Sequence, residues 1–370
     1  MNLAILNRTL ETGGTERQIT NMARGLRDRG HQVTIYTYYC GGQLEPELKD
    51  SGVTVICLRK TRRWDVSFAY RLIKYLRKQK PDILYCFLPT SNVIGALIRP
   101  FIRKTRLVWG IRASNMALQN YDRSTQLSYS IQNRLSRLAD LIISNSENGR
   151  QFVERQGMPA EKLITIGNGI DTLLYQPDKA AGKTLRSKWG VDESHRLIGL
   201  VGRIDPVKNH MTFLAAAGLL VEKYPTMRFV CVGGGDQDLG TRLIQQSQAL
   251  GLENHLIWAG EIRDMPAVYN ALDILCCCSL GEGFPNVVGE AMACGTPCVV
   301  ADVGDCHIIT QGCGEVFDNP QSREEIAQAL ENMHHSDQIH LARKSRDRIE
   351  TQYSLTMMVE RTEKQLMALL

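Results

Sequence analysis

Short apolar runs alternate with amphipathic stretches along most of the chain. Residues 3–7, 31–37, 53–58, 83–87, 107–110 and 141–144 read as strands. They are brief and, apart from 31–37, apolar at most positions, as strands covered on both faces are. Helical spacing fills the gaps, most clearly over 15–29 and 68–79. Thr15 and Gln18 have the spacing of a capping box, and Gly30 suits the position just past a helix end. A second series of strands starts at 196–201 and continues through 228–232, 255–259, 273–278 and 297–301. This alternation predicts parallel sheets covered by helices, an α/β chain of two Rossmann-like halves. The expected organisation is a first domain over 1–175, a polar linker over 176–195, a second domain over 196–354 and a final helix over 355–370.

Composition narrows the class. At 370 residues the chain suits two average domains, and 43% apolar content supplies their cores. No run approaches the roughly 18–20 apolar residues that span a bilayer. The start of the chain shows neither a basic leader nor a cleavage pattern, so no signal peptide is expected. The eleven cysteines lack zinc-site spacing. Cys276, Cys277 and Cys278 lie inside an apolar strand pattern and read as small buried hydrophobes. Their odd number and placement suggest a reducing cytosol.

The charge is uneven. Residues 1–175 carry 26 Lys and Arg against 14 Asp and Glu, a balance of +12, and the remainder carries −7. Basic clusters fall at Arg59-Lys60-Thr61-Arg62-Arg63 and from Arg99 to Arg106, with Phe101, Ile102 and Leu107 interleaved. No nucleic-acid-binding motif accompanies them. A basic half of this kind suits a nucleic acid, a solvated positive face or an anionic membrane surface, where each basic residue contributes about 1 kcal/mol.

The glycine-rich blocks all follow expected strands, where ligands of parallel sheets bind. Gly13-Gly14 opens a helix, so its amides and the helix dipole can approach an anion, while Glu16 reads as a charge on the same helix terminus. Gly202-Arg203 ends a strand, and Lys208 lies five residues on; two cations on one loop suit a diphosphate. Gly233-Gly234-Gly235-Asp236-Gln237-Asp238 is not a phosphate loop of the Gly-Lys-Ser/Thr kind. Its Asp236 and Asp238 lack the further ligands of an octahedral site, so no metal is expected. Glu282 and Glu290 flank Gly283, Phe284, Pro285 and Asn286 at the start of a short helix. Pro285 suits its first turn, and Gly295 and Pro297 suit its end. Carboxylates on either side of exposed amides suit a polyhydroxylated ligand that carries phosphate. His31 and His210 read as structural or surface residues.

The E-x7-E stretch from Glu282 to Glu290 resembles the signature of the retaining family-4 glycosyltransferases. The blocks Gly13-Gly14-Thr15-Glu16-Arg17, Asn168-Gly169-Ile170-Asp171, Gly202 to Asn209 and Gly233-Gly234-Gly235 resemble that family in the same order. The resemblance covers nearly the whole chain. It implies the GT-B fold, two Rossmann-like domains facing across a cleft, with the last helix returning to the first domain. It implies a donor nucleoside-diphosphate sugar, uridine favoured over guanosine, and a glycan or lipid-linked glycan acceptor in polysaccharide biosynthesis. It makes Arg203 and Lys208 the diphosphate ligands, Glu282 the contact to donor-sugar hydroxyls and Glu290 the contact to the ribose. The turn at Gly283, Phe284, Pro285 and Asn286 lies against the sugar, with Gly13 and Gly14 facing the phosphates. Many relatives place a His after the strand at 107–110, whereas this chain reads Gly110-Ile111-Arg112-Ala113-Ser114-Asn115; Arg112 either replaces the His or binds an anionic acceptor. The expected protein is a metal-independent hexosyltransferase without cofactor, cytoplasmic and peripheral at the membrane. An epimerase of the same fold and a non-catalytic nucleotide- or carbohydrate-binding subunit remain as alternatives.

Overall fold

The computed structural model describes residues 1–370 except 12, 63–64 and 113–122, with 123–128 described in backbone only. Arg63 of the first basic cluster and Ala113-Ser114-Asn115 therefore lie outside the described residues. The chain divides into two compact units, Met1–Gly169 with Leu355–Leu370, and Ile170–Ser354.

In the first unit, seven strands form a parallel sheet: β1 (Asn2–Asn7), β2 (Gln32–Thr37), β3 (Thr54–Cys57), β4 (Ile83–Phe87), β5 (Arg106–Ile111), β6 (Leu141–Ser144) and β7 (Leu163–Thr165). Their spatial order is β3-β2-β1-β4-β5-β6-β7. The second unit has six: β8 (Arg196–Val201), β9 (Met227–Val232), β10 (Leu256–Gly260), β11 (Ile274–Cys277), β12 (Cys298–Ala301) and β13 (Gly314–Phe317), in the order β10-β9-β8-β11-β12-β13. All pairings are parallel. In each sheet the order reverses at one point, between β1 and β4 and between β8 and β11. Loops leaving adjacent strands part there in opposite directions and open a crevice at the carboxyl edge.

Each sheet is apolar on both faces because successive side chains point to opposite sides. Leu197 and Val201 of β8 join one core, and Ile198 and Leu200 join the other. The cysteine triplet obeys the same rule: Cys277 packs on the first face, Cys276 and Cys278 on the second. All three are buried thiols, as their setting suggested.

Several boundaries differ from the sequence reading. The first helix spans Gly14–Asp28 with Gly13 as its N-cap, so Thr15 and Gln18 form no capping box. Gln18 instead bonds both backbone groups of Gly169, donating to its oxygen at 2.9 Å and accepting from its nitrogen at 3.0 Å. The expected linker holds a helix, Lys179–Lys188, capped by Asp178 and packed so closely that a Cβ on Gly182 would strike the Asn270 carbonyl. It belongs to the second unit, whose boundary falls at Ile170. The last helix, Leu355–Met367, belongs to the first unit, where Met358, Val359 and Leu366 enter the core. His31 joins that helix through Glu363 at 2.6 Å. Cys40 and Cys57 form a disulfide, which the sequence reading of a reducing cytosol did not anticipate.

Candidate active site

The loop leaving β8 begins with Gly202 and reaches its key side chain six residues later. Ile204 is pinned to the loop after β9: its nitrogen donates to Gly234 O at 2.8 Å and its oxygen accepts from Asp236 N at 3.0 Å. Gly233 has φ +138°, and a Cβ there would collide with the Gly202 carbonyl, so only glycine fits. Asp205 caps the turn Pro206–Lys208 by accepting from Val207 N at 2.9 Å. Asn209 turns the chain with φ +58°, a left-handed conformation that Asn tolerates better than most residues. Its amide donates to Cys278 O at 3.1 Å and Pro320 O at 2.6 Å. These bonds leave Lys208 at the carboxyl edge beside the β8/β11 reversal point.

The loop leaving β11 meets it there. Leu280 N donates to Val207 O at 2.8 Å, and Lys208 Nζ donates to Glu282 Oε1 at 2.5 Å. Both side chains are largely covered, at 23% and 12% exposure. Burial alone would lower the Lys208 pKa, but Glu282 and the Cys277 thiol outweigh it and hold the ammonium above its ordinary value. Arg203 differs: its side chain is 81% exposed and only 3.9 Å from Asp205 Oδ2. The two cations on this loop are therefore not equivalent, one fixed and one reaching into solvent.

The helix Asn286–Ala293 starts from Pro285, which is its N-cap rather than a residue of its first turn. Phe284 and Pro285 are buried, Phe284 packing 5.6 Å from the Tyr353 ring, so this turn offers backbone more than side chain. The preceding turn is braced from behind: Asp305 N donates to Gly283 O at 3.0 Å, and Gly304, with φ +56°, presses on the Glu282 and Gly283 carbonyls. Glu290, one turn into the helix, accepts from Tyr269 OH at 2.6 Å. Gly295 ends the helix with φ +79°, as expected.

Asp236 is a helix cap, accepting from Leu239 N at 2.9 Å, with Asp238 in the first turn it caps. Among the described residues no group of three His, Cys, Asp or Glu is placed to hold a metal. His210 is buried at 3% exposure, and burial with the neighbouring Lys208 charge pushes its pKa down to about 4. A cavity of about 840 Å³ lies at the opposite, amino edge of this sheet, lined by Lys179, Lys183, Arg186, Glu193 and Asp273. Its charges already pair, Lys183 with Glu193 at 2.8 Å and Arg186 with Asp273 at 2.9 Å. The sequence-expected residues of this unit gather instead at the carboxyl edge.

The remaining candidates belong to the first unit. Gly13 and Gly14 stand at a helix N-terminus, with the Glu16 carboxylate folded back over Gly13 as a helix-terminal charge. Arg112 follows β5. Its Nη1 donates to Asn168 Oδ1 at 2.6 Å, and its guanidinium lies 5.1 Å from the Phe87 ring centre. Asn209, Asn168 and Tyr269 were not singled out as site residues by the sequence. Asn209 directly follows Lys208 in a quoted motif, and Asn168 heads another, but Tyr269 had no signal.

Two parallel doubly wound units, with a paired cation and carboxylate at a reversal point, define a GT-B protein. Residues 12–173 match the family model described as Glycosyltransferase Family 4, and 195–336 match Glycosyl transferases group 1. The chain belongs to the family-4 glycosyltransferases. It is 30% identical over 206 residues to a D-inositol 3-phosphate glycosyltransferase of Rhodococcus jostii, covering 52% of this chain and 44% of that protein. The match thus spans less than half of that relative's length. It is 24% identical over 265 residues to the Escherichia coli UDP-Gal:alpha-D-GlcNAc-diphosphoundecaprenol alpha-1,3-galactosyltransferase, covering 70% and 68%. The fold matches the crystal structure of Anabaena HepE in complex with UDP, with a TM-score of 0.88, 22% identity and full coverage of both chains.

Proposed function

We propose that this glycosyltransferase is metal-independent and retaining, and moves a hexosyl unit from a nucleoside-diphosphate sugar to a hydroxyl of a glycan or lipid-linked glycan. The observation that carries this reading is the Lys208–Glu282 pair at the β8/β11 reversal point, with Arg203 extended from the same loop. Lys208 and Arg203 take the diphosphate, Glu282 the donor-sugar hydroxyls and Glu290, oriented by Tyr269, the ribose. Uridine is favoured, in keeping with the HepE complexes with UDP and UDP-glucose.

The costly step is cleavage of the anomeric C–O bond, in which the electron pair leaves with the diphosphate. Lys208 and Arg203 oppose that growing charge, and each such prepositioned donor lowers the barrier by about 3–4 kcal/mol. The acceptor hydroxyl forms the new bond on the face the diphosphate leaves, and a departing phosphate oxygen takes its proton. Configuration is thereby retained.

Membrane docking is part of the same reading. No helix among the described residues is long and apolar enough to cross a membrane. In the first unit Arg103, Lys104 and Arg106 are exposed beside Phe101 at 51% and Leu97 at 61%. Ile102 and Leu107, expected beside them, are core residues. The acceptors named for the relatives, an inositol phosphate and a diphosphoundecaprenol glycan, are both anionic. Thermal denaturation with UDP, GDP, ADP and CDP is the direct test, since affinity for the native state appears as stabilisation. Stabilisation by UDP that Lys208→Ala weakens supports the site; stabilisation by none of the four overturns it.

A further inference from the structure

We infer that Arg112 is an anion receptor: the substrate reaching the carboxyl edge of the first sheet carries a carboxylate or phosphate that this guanidinium binds. The inference rests on the reading of the protein as a nucleotide-sugar transferase and adds the chemical class of one substrate.

A guanidinium presents its donors along edges, and one edge of two parallel N–H groups matches a carboxylate or phosphate. At Arg112, Nη1 is committed to Asn168 Oδ1 at 2.6 Å. The opposite edge, Nε with Nη2, has no acceptor among the described residues, and Nε is covered from solvent. Asn168 is itself a firm anchor. It is 5% exposed, and the next residue, Gly169, has both backbone groups held by Gln18. The committed nitrogen therefore fixes where the uncommitted edge points.

Nothing described around Arg112 supplies a counter-charge. It makes no ion pair among the described residues, and its neighbours are the Phe87 ring at 5.1 Å and Tyr85. Burial pushes Tyr85 up to about 12, so the phenol stays neutral. The same burial lowers the Arg112 pKa from its ordinary value. A covered charge without a partner costs stability, and a packed neutral side chain would avoid that cost. An arginine serving only the fold would have its donors filled by a carboxylate or by carbonyl oxygens, as Arg348 does with Ile308 O and Ile309 O. One held by a neutral amide, with a donor edge that no described residue uses, is prepared for an oxyanion that arrives from outside. The strand end places it where ligands of such sheets bind.

The anion can come from the donor, as a uronate, or from the acceptor, as a phosphate, and calorimetric titration separates the two. In one arm the whole protein is titrated with UDP-glucuronate and with UDP-glucose. In the other, protein saturated with UDP is titrated with glucose 1-phosphate and with glucose. A charge-assisted bidentate contact predicts that one anionic probe binds about 10- to 100-fold tighter than its neutral counterpart. Arg112→Gln should abolish that preference and Arg112→Lys should keep part of it, while UDP affinity stays unchanged in both. Ligand-free Arg112→Gln should melt no lower than the wild type. Preference in the first arm assigns the anion to the donor, and preference in the second to the acceptor. UDP binding with no anionic preference in either arm, or a preference that survives Arg112→Gln, overturns the inference alone. An Arg112→Gln protein that melts well below the wild type also overturns it, assigning the arginine to the fold. Failure of the wild type to bind UDP overturns this inference and the underlying functional reading together.

Discussion

Lys208 Nζ and Glu282 Oε1 meet at 2.5 Å across the loops that leave β8 and β11, both side chains mostly covered. In the proposed reading this pair holds the cation meant for the diphosphate against the carboxylate meant for the sugar. A phosphate oxygen would share the ammonium, which has three donors. Lys208→Ala should lower kcat by about 10²- to 10³-fold, the loss expected for one prepositioned donor. It should also destabilise the ligand-free protein, because Glu282 is left covered without its cation. Lys208→Ala/Glu282→Gln should recover stability but not turnover. Product formation and melting temperature, measured on the same samples, check both halves.

Tyr269 holds Glu290 through a 2.6 Å hydrogen bond, and its own phenol is buried, its pKa raised well above normal by burial and by Glu290. This bond orients Glu290, the carboxylate proposed to meet the ribose. Tyr269→Phe removes the orienting bond and keeps the packing, so UDP affinity should fall by about 1 kcal/mol, or roughly five-fold. Glu290→Ala should weaken UDP more than this and leave the affinity for free diphosphate unchanged. Titration calorimetry with UDP and with pyrophosphate distinguishes ribose from phosphate contacts.

Much of this architecture is written locally. The buried central strands are continuous apolar runs, so β4, β6 and β8 fall where the hydrophobic pattern puts them. β7 and β13 escaped it because both are short edge strands, half-covered and partly polar. The helix at Lys179–Lys188 read as linker because it packs through Gly182 and shows little apolar face. At the site, the loops bearing Arg203, Lys208, Glu282 and Glu290 announce themselves through glycine and proline at strand ends. Their partners do not. Tyr269 lies 21 residues from Glu290, and Asn168 lies 56 from Arg112. Such pairs arise only when the sheet order brings distant elements side by side, and no local spacing records that.

The Cys40–Cys57 disulfide closes a 17-residue separation between the loop after β2 and the end of β3. That loop also packs on the segment after β1, where Leu44 N donates to Leu10 O at 3.0 Å and Gly42 abuts the Leu10 backbone. Cross-linking a loop of this length restricts the unfolded chain and is worth about 3 kcal/mol. Cys40→Ser/Cys57→Ser, or added dithiothreitol, should lower the melting temperature measurably. Dithiothreitol should have no further effect on the double variant. The other nine cysteines are buried thiols, so mild oxidant should restore the melting temperature of reduced wild type and leave the double variant unchanged.

His210 opens the helix His210–Lys223 directly after Asn209, buried, with Nδ1 lacking a partner among the described residues. Burial first, and the Lys208 charge second, push its pKa from 6.5 down to about 4. A histidine whose folded pKa is depressed stabilises the native state fully above its unfolded value of 6.5. As the pH falls below 6.5, the unfolded chain takes up a proton that the native site refuses, and stability declines until the folded pKa near 4 is reached. The full loss is about 3 kcal/mol, from a shift of this size at 1.36 kcal/mol per unit. Urea denaturation at steps between pH 7 and pH 4 should show this decline. His210→Gln should flatten it by that amount, leaving only the slope from carboxylates. An unchanged slope in His210→Gln would mean that the imidazole is protonated as readily in the fold as outside it, against its burial beside Lys208.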